Sequence, residues 1–299
     1  RLPLDKRQGQ LAEGNKAWLK YETHGRIHGR VITIGAVTGR CTHSDPNLAQ
    51  VPKADPEVPY GTECRSLFYA PEGWYQLGCD ASGLELRMLG HYMAAYDGGA
   101  YAKIVLEGDI HTVNQKAAGL PTRKDAKTFI YAFLYGAGPV KLGSIVAPLA
   151  SIEEQERVGI KLMKRFLKKT PALAKLREKV SEAVRQRGYL IGIDGRHLRV
   201  RKAHTALNTL FQNAGAVALK LAPVIFHQKL LDAGYVHGRD FVQVLHVHDE
   251  FQYLFRDYVD SNTVGNMAVE AIREAGRILK FRVPLDGEFK VGRNWAETH

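Results

Sequence analysis

Two apolar, β-branched runs in VQVLHVHDEFQYLF, residues 242–255, flank the polar positions His248, Asp249, Glu250 and Gln252. Their period-2 spacing predicts a hairpin whose tight turn sits at His248-Asp249. Another apolar run, WYQLGCD (74–80), predicts a strand ending at Asp80. Directly after it, Leu84, Met88, Leu89, Tyr92 and Met93 recur at helical spacing, with Ser82 placed as an N-cap. Helical periodicity returns over 110–118, 123–135, 138–147, 152–169, 171–187 and 258–279, and a long helix starts near 204 and runs toward Pro223. GYLIGIDGRHLRVR (188–201) predicts a hairpin turning at Asp194-Gly195. Residues 9–22 read as a short helix and the glycine-punctuated stretch 24–40 as strand-rich, while 42–62, with four prolines, reads as loop. A few strands with many helices inserted between them make an α+β chain, not an alternating βαβ one.

Composition narrows the classes. A chain of 299 residues, 45% hydrophobic, can bury a full core and suggests one large or two modest domains. No run reaches the roughly 18 uninterrupted apolar residues of a membrane helix, so no membrane partner is expected. The start, RLPLDKRQGQ, is too polar for a signal peptide, and Arg in first place instead of Met suggests a piece of a longer chain. Lys and Arg outnumber Asp and Glu by 42 to 31, a net +11, which favours a polyanionic partner, nucleic acid before membrane. Cys41, Cys64 and Cys79 are odd in number and lack metal-ligand spacing, so they read as reduced thiols of a cytosol-like compartment.

Asp80 ends one strand and Asp249 tops a hairpin far downstream. If both strands share a sheet, the carboxylates converge. Two carboxylates with little basic compensation suit Mg²⁺, which takes one or two of them plus substrate phosphates. Two such ions about 3.5–4 Å apart clamp the attacking and leaving oxygens of an in-line displacement at phosphorus. Taken alone, Asp249 and Glu250 also read as ordinary turn residues. In PTRKDAKTFIYAFLYGAG (121–138), Thr122 caps a helix that Gly136 and Gly138 end. Arg123, Lys127, Tyr131 and Tyr135 recur every four residues along one slowly rotating face. A cationic end followed by two aromatics matches a nucleoside triphosphate, with a fork and a point charge for phosphates and flat rings for sugar and base. The plainer reading of that spacing is a solvated basic turn with aromatic core packing.

CDASGLELR (79–87), RKDAKTFIYAFLYGAG (123–138) and HVHDEFQ (246–252) resemble the three signature motifs of family A DNA polymerases, in the expected order and closest to the replicative enzymes of short-tailed bacteriophages. The likeness extends through TGRCTHSDPNLAQVP (38–52), GDIHT (108–112) and AHTALNTLFQNAGA (203–216), which is nearly the whole chain. The resemblance implies a right-hand architecture lacking most of the thumb, with a small antiparallel palm sheet and inserted helical fingers. Residues 1–35 would be thumb base and start of palm, 36–110 the first part of the palm, 111–190 fingers, and 191–299 the second part of the palm. The implied activity is template-directed addition of deoxynucleoside triphosphates to the 3′ end of primer-template DNA by two-metal-ion phosphoryl transfer, without a proofreading exonuclease of its own.

By the same resemblance, Asp80 and Asp249 would be catalytic and hold two Mg²⁺, with the Ala81 carbonyl as a further ligand. Arg123, Lys127 and His111 would bind the triphosphate, and Lys127 would also protonate the leaving pyrophosphate. Glu85, hydrogen-bonded to Tyr135, would occupy the space a 2′-hydroxyl needs, with Tyr131 in the same nucleotide site. Arg40, Asn208 and Gln212 would donate to the purine N3 and pyrimidine O2 acceptors that all four base pairs present in the minor groove. Asn208 and Gln212 also read plainly as surface polar residues. His248 would lie near the primer terminus. A phage origin would place the protein in the host cytoplasm, and a processivity factor would need the missing thumb. Two alternatives stand beside this. An RNA-synthesising or reverse-transcribing relative is opposed by Glu85 and by Glu250 after Asp249, and a non-catalytic nucleic-acid-binding module by acidic residues facing phosphates.

Overall fold

Glycine decides how the chain begins in the computed structural model, which describes residues 2–200 and 202–299; Arg201, the end of the expected 188–201 hairpin, lies outside the described residues. Helix α1 (Leu2–Gln8) passes into a π-helical turn, Gly9–Glu13, and then a 3₁₀ turn, Trp18–Tyr21. The single helix expected over 9–22 is thus broken, since Gly9 and Gly14 favour the unfolded chain and stabilise no helix interior. Strands β1 (Glu22–Thr23) and β2 (Arg26–Ile27) pair antiparallel, as do β3 (Arg30–Ile32) and β4 (Thr42–Ser44). The expected loop over 42–62 therefore contains β4 and leads into helix α2 (Gly61–Ser66).

Strand β5 (Trp74–Ala81) precedes helices α3 (Leu84–Asp97), α4 (Ala100–Glu107), α5 (Ile110–Ala118), α6 (Arg123–Leu134), α7 (Pro139–Gly143), α8 (Ile152–Lys169) and α9 (Pro171–Arg187). Ser82 does not cap α3. Gly83, at φ 58°, takes that position, and the Ser82 backbone N–H donates to the Asp286 carbonyl at 3.0 Å. Helix α4 is unannounced by periodicity because left-handed Gly98 and Gly99 (φ 63° and 92°) separate it from α3. Helix α7 is shorter than the expected 138–147, because the N–H groups of Val146 and Ala147 both turn back onto the Gly143 carbonyl.

Strands β6 (Tyr189–Ile191) and β7 (His197–Arg199) form the expected hairpin, with Gly195 left-handed at φ 82°. Helix α10 (Ala206–Asp232) continues through Pro223 instead of stopping there. Packing outweighs the lost backbone bond: Phe226, three residues on, is fully buried against Tyr253 with ring centroids 4.9 Å apart. By length and composition α10 could cross a membrane, yet 61% of its most apolar window is buried inside the fold, as in a core helix. Strands β8 (Phe241–Val247) and β9 (Glu250–Arg256), helix α11 (Ser261–Ile278) and strand β10 (Gly287–Gly292) complete the order. Strand β10, GEFKVG, has glycine at both ends and a half-exposed face, which leaves little strand signal in its sequence.

The chain divides into two compact units. The first (1–82, 216–279, 285–299) contains a four-stranded antiparallel sheet in the order β10-β5-β9-β8. Its core gathers Phe226, Phe241, Phe251, Tyr253 and Phe255, all fully buried. Gly78 of β5 is obligatory, because a Cβ there would sit 2.2 Å from the Thr298 carbonyl and 2.5 Å from Gln252 Nε2. The second unit (83–215, 280–284) is mainly helical, with Phe129, Phe133 and Phe166 packed edge-on or stacked at its centre. The unit breaks differ from the expected boundaries at 110/111 and 190/191. Helix α3 packs on α4 and α9, and Asn213 of α10 accepts from the Ile193 N–H at 3.2 Å, which ties these segments to the second unit.

Candidate active site

Strand pairing alone brings the two expected carboxylates together. In the first unit β5 lies beside β9 with Asp80 opposite Glu250, and the Ala81 N–H donates to the Asp249 carbonyl at 3.1 Å. Val247 pairs with Glu250, so the turn is His248-Asp249, as the hydrophobic pattern predicts. His248 holds a left-handed φ of 53°, a conformation costly for a residue with a Cβ and common at functional turns. Arg40 joins the pair: its Nη2 is 3.4 Å from Asp249 Oδ1.

No described residue donates a hydrogen bond to the Asp80 carboxylate. Desolvation first, then the charges of Glu250 and Asp249, push Asp80 up to about 7, while its side chain keeps a solvent-exposed side that screens part of that push. Among the described residues no group of three or more His, Cys, Asp or Glu has the arrangement of a metal cage. Two crowded carboxylates fit instead a hard cation that shares its shell with substrate oxygens. A carboxylate with a raised native pKa costs stability once pH climbs past its unfolded value near 4, increasingly so toward 7. In metal-free buffer at pH 8, Asp80→Asn is therefore expected to raise Tm by about 2–4 °C. The gain should vanish near pH 4; equal gains at both pH values in thermal melts would contradict the crowding.

Glu250 plays a different part from its neighbour. It is buried, accepts from Trp295 Nε1 at 2.6 Å, pairs with His299, and lies 4.0 Å from Arg65 Nη1. Burial raises its pKa, but His299, Arg65 and Trp295 outweigh that and hold Glu250 below the ordinary glutamate range. The Arg65 guanidinium also stacks on Trp295, 4.4 Å from the ring centroid. Beneath β5 and β9, Gln252 accepts from Gln76 Nε2 at 2.9 Å and from Thr298 Oγ1 at 2.8 Å. Hydrophobic patterning reveals none of these partners, which lie far from Glu250 and Gln252 in sequence.

In the second unit, α6 starts with a capping box. Asp125 N–H donates to Thr122 Oγ1 at 3.0 Å, and Thr122 N–H donates back to Asp125 Oδ2 at 3.2 Å. Phe129, Ile130 and Phe133 bury one side of α6, which leaves Arg123 and Lys127 exposed and Tyr131 half-buried on the other. His111 of α5 has its ring 6.3 Å from that of Tyr131. Burial, then the charges of Arg123 and Lys127, lower the His111 pKa and favour its neutral imidazole. His111, Arg123, Lys127 and Tyr131 thus stand near one another in the second unit. Arg123 Nε also donates to Asp109 Oδ2 at 2.8 Å, a partner fourteen residues away and outside the 123–138 motif. Tyr135 closes α6, and its hydroxyl donates to Glu85 Oε1 at 2.8 Å. Asn208 and Gln212 stand one turn apart on α10, both half-buried.

The sequence model described as DNA polymerase family A matches residues 4–297. Over 323 aligned positions the chain is 46% identical to the DNA-directed DNA polymerase of Enterobacteria phage T3, covering 100% of this chain and 45% of that relative. The corresponding protein of Escherichia phage T7 is also 46% identical, with the same coverage. The thermostable DNA polymerase I of Thermus aquaticus is 29% identical over 92% of this chain and 33% of its own length. Among solved structures, the POL domain of Pol1 from M. smegmatis in complex with DNA primer-template and dNTP matches with a TM-score of 0.77 at 22% identity, covering 94% of this chain and 50% of that one. That likeness shows the fold, an α+β polymerase architecture. The chain spans under half the length of the phage relatives it matches.

Proposed function

We propose, given that the chain belongs to DNA polymerase family A, that it carries a template-directed DNA synthesis site, adding deoxynucleotides to a primer 3′ end. The observation that carries this reading is the placement of Asp80 on a strand paired directly with the Asp249 turn. In this reading residues 1–35 serve as thumb base and start of the palm, 36–110 and 191–299 as the two parts of the palm, and 111–190 as fingers. Asp80, Asp249 and the Ala81 carbonyl would hold two Mg²⁺, which when bound supply charge neutralisation and activation of the primer hydroxyl.

The chain's own groups then position and neutralise, since phosphoryl transfer asks little covalent chemistry of a protein. Arg123 offers its guanidinium fork and Lys127 its ammonium to the triphosphate, and neutral His111 donates an imidazole N–H. Lys127 also hands a proton to the leaving pyrophosphate oxygen. Tyr131 supports the sugar and base, while Glu85, fixed by Tyr135, denies room to a 2′-hydroxyl. Arg40, Asn208 and Gln212 donate to the acceptors shared by all four base pairs, so they test pair geometry without reading sequence. His248, at the left-handed position of the turn, borders the primer terminus. The phage-like sequence points to the cytoplasm of a host cell.

Primer extension with deoxy- or ribonucleotides, with and without Mg²⁺, tests the proposal. Mg²⁺-dependent extension with deoxynucleotides is expected. Preference for ribonucleotides would favour an RNA-synthesising relative, and DNA retention without extension would favour a binding module. The net charge of +11 supports a further expectation. If basic residues meet about four backbone phosphates, the log–log plot of primer-template affinity against salt has a slope of about −3 to −4. Fluorescence anisotropy across a salt series gives this directly, and a flat response would count against nucleic acid as the polyanion.

A further inference from the structure

We propose that Asp109 is a positioning residue that orders two triphosphate-binding side chains, His111 and Arg123, with one carboxylate; the inference rests on the roles given to those two residues above. Asp109 is the N-cap of α5, and its Oδ1 accepts from the backbone N–H groups of His111 at 3.1 Å and Thr112 at 3.3 Å. The other oxygen, Oδ2, accepts from Thr112 Oγ1 at 2.7 Å and from Arg123 Nε at 2.8 Å. One side chain thereby closes the start of α5, where His111 stands, and ties down the first residue of α6.

The choice of Nε matters. It uses one edge of the guanidinium and leaves both Nη groups without a protein partner among the described residues. Those end-on N–H groups form the fork that grips a phosphate. The Arg123 side chain is 58% exposed, so without a tether it would sample many rotamers and lose that freedom only on binding nucleotide. Arg123 and then Thr112 hold the Asp109 pKa far below the usual carboxylate range, so the tether stays anionic at any working pH.

Two effects oppose each other here. A carboxylate beside the binding groups repels a polyphosphate, while its grip on Nε pre-orders the fork. At side-chain exposures of 45% for Asp109 and 58% for Arg123, solvent and salt screen the repulsion, whereas the hydrogen-bond geometry survives. Ordering wins, and removal of the charge weakens nucleotide binding instead of tightening it.

Asp109→Asn keeps an N-cap acceptor but loses the charged partner of Nε. In steady-state primer extension it is expected to raise the dNTP KM about 5–10-fold, with the smaller part of the effect in kcat. In an Arg123→Ala background the same substitution should change KM less than about twofold, because the group it orders is gone. Equal factors in the two backgrounds, or a KM that is unchanged or lowered by Asp109→Asn, overturn the proposal. Should Asp109→Asn fail to fold in a thermal melt, Asp109→Ser, also a good N-cap, takes its place with the same expectations. If Arg123→Ala alone leaves KM unchanged, the triphosphate role of Arg123 falls. If it raises KM but the two substitutions multiply independently, only the Asp109 inference falls.

Discussion

Asp249→Ala is expected to slow single-turnover primer extension by about 10³-fold at saturating nucleotide and Mg²⁺, the equivalent of roughly 4 kcal/mol of lost transition-state stabilisation. The fold around it should survive. The bond from the Ala81 N–H reaches the Asp249 backbone carbonyl, which alanine retains, and the β8–β9 pairing does not use the side chain. The substitution removes one of the charges that push Asp80 up, so the apo-protein has repulsion to lose. Arg40 gives up a 3.4 Å contact that is already long, and being half-buried it can turn to solvent. Tm should therefore stay within about 3 °C while chemistry collapses. An extension rate within tenfold of the parent would mean that Asp249 is only a turn residue, and the proposed synthesis site would have to be sought elsewhere. Glu250→Ala is the instructive contrast. Its carboxylate is buried among Trp295, Arg65 and His299, so its loss strands a buried guanidinium and acts first on stability.

Glu85→Ala is expected to raise kcat/KM for ribonucleotides by about 10²-fold, with deoxynucleotide kcat/KM changed by less than about tenfold. Glu85 lies in the first turn of α3, where the positive helix end favours its charge, and the Tyr135 hydroxyl fixes it through a 2.8 Å bond across fifty residues of chain. A carboxylate fixed by that bond would form a rigid obstacle in the proposed nucleotide site, and rigidity makes a steric filter selective. Tyr135→Phe keeps the ring and removes only the tether, so ribonucleotide use should rise by about 3–10-fold, less than for the loss of the carboxylate itself. Competition between labelled ATP and dATP in extension assays reads both variants. Unchanged discrimination in Glu85→Ala would remove Glu85 from the nucleotide site.

Several parts of this arrangement were open to short-range reasoning. Period-2 runs on either side of His248-Asp249 require a hairpin there, and the Asp194-Gly195 dipeptide requires another, because the relevant energies act between residues a few positions apart. Thr122, Asp125 and the apolar spacing of Phe129, Ile130 and Phe133 likewise dictate where α6 starts and which side it buries. Other features resist such reasoning. Pro223 is a helix breaker by its own chemistry, yet α10 passes through it because Phe226 is locked under the sheet. Ser82 is a fit N-cap by type, yet strand geometry turns its N–H toward Asp286 and leaves the cap to Gly83.

The linear order of residues thus determined the local pieces: the two acidic strand ends, the cationic helix face and the family motifs that contain them. Tertiary structure alone decided which distant groups share a charge or a hydrogen bond. The pairing of Asp80 with the Asp249 turn, the burial of Glu250 against Trp295, and the hold of Asp109 on Arg123 all arise there. The physical reason is range. Periodicity and capping are set within one or two turns of chain, whereas strand register and ion pairing depend on how entire elements pack, and many sequences with the same local pattern could pack differently.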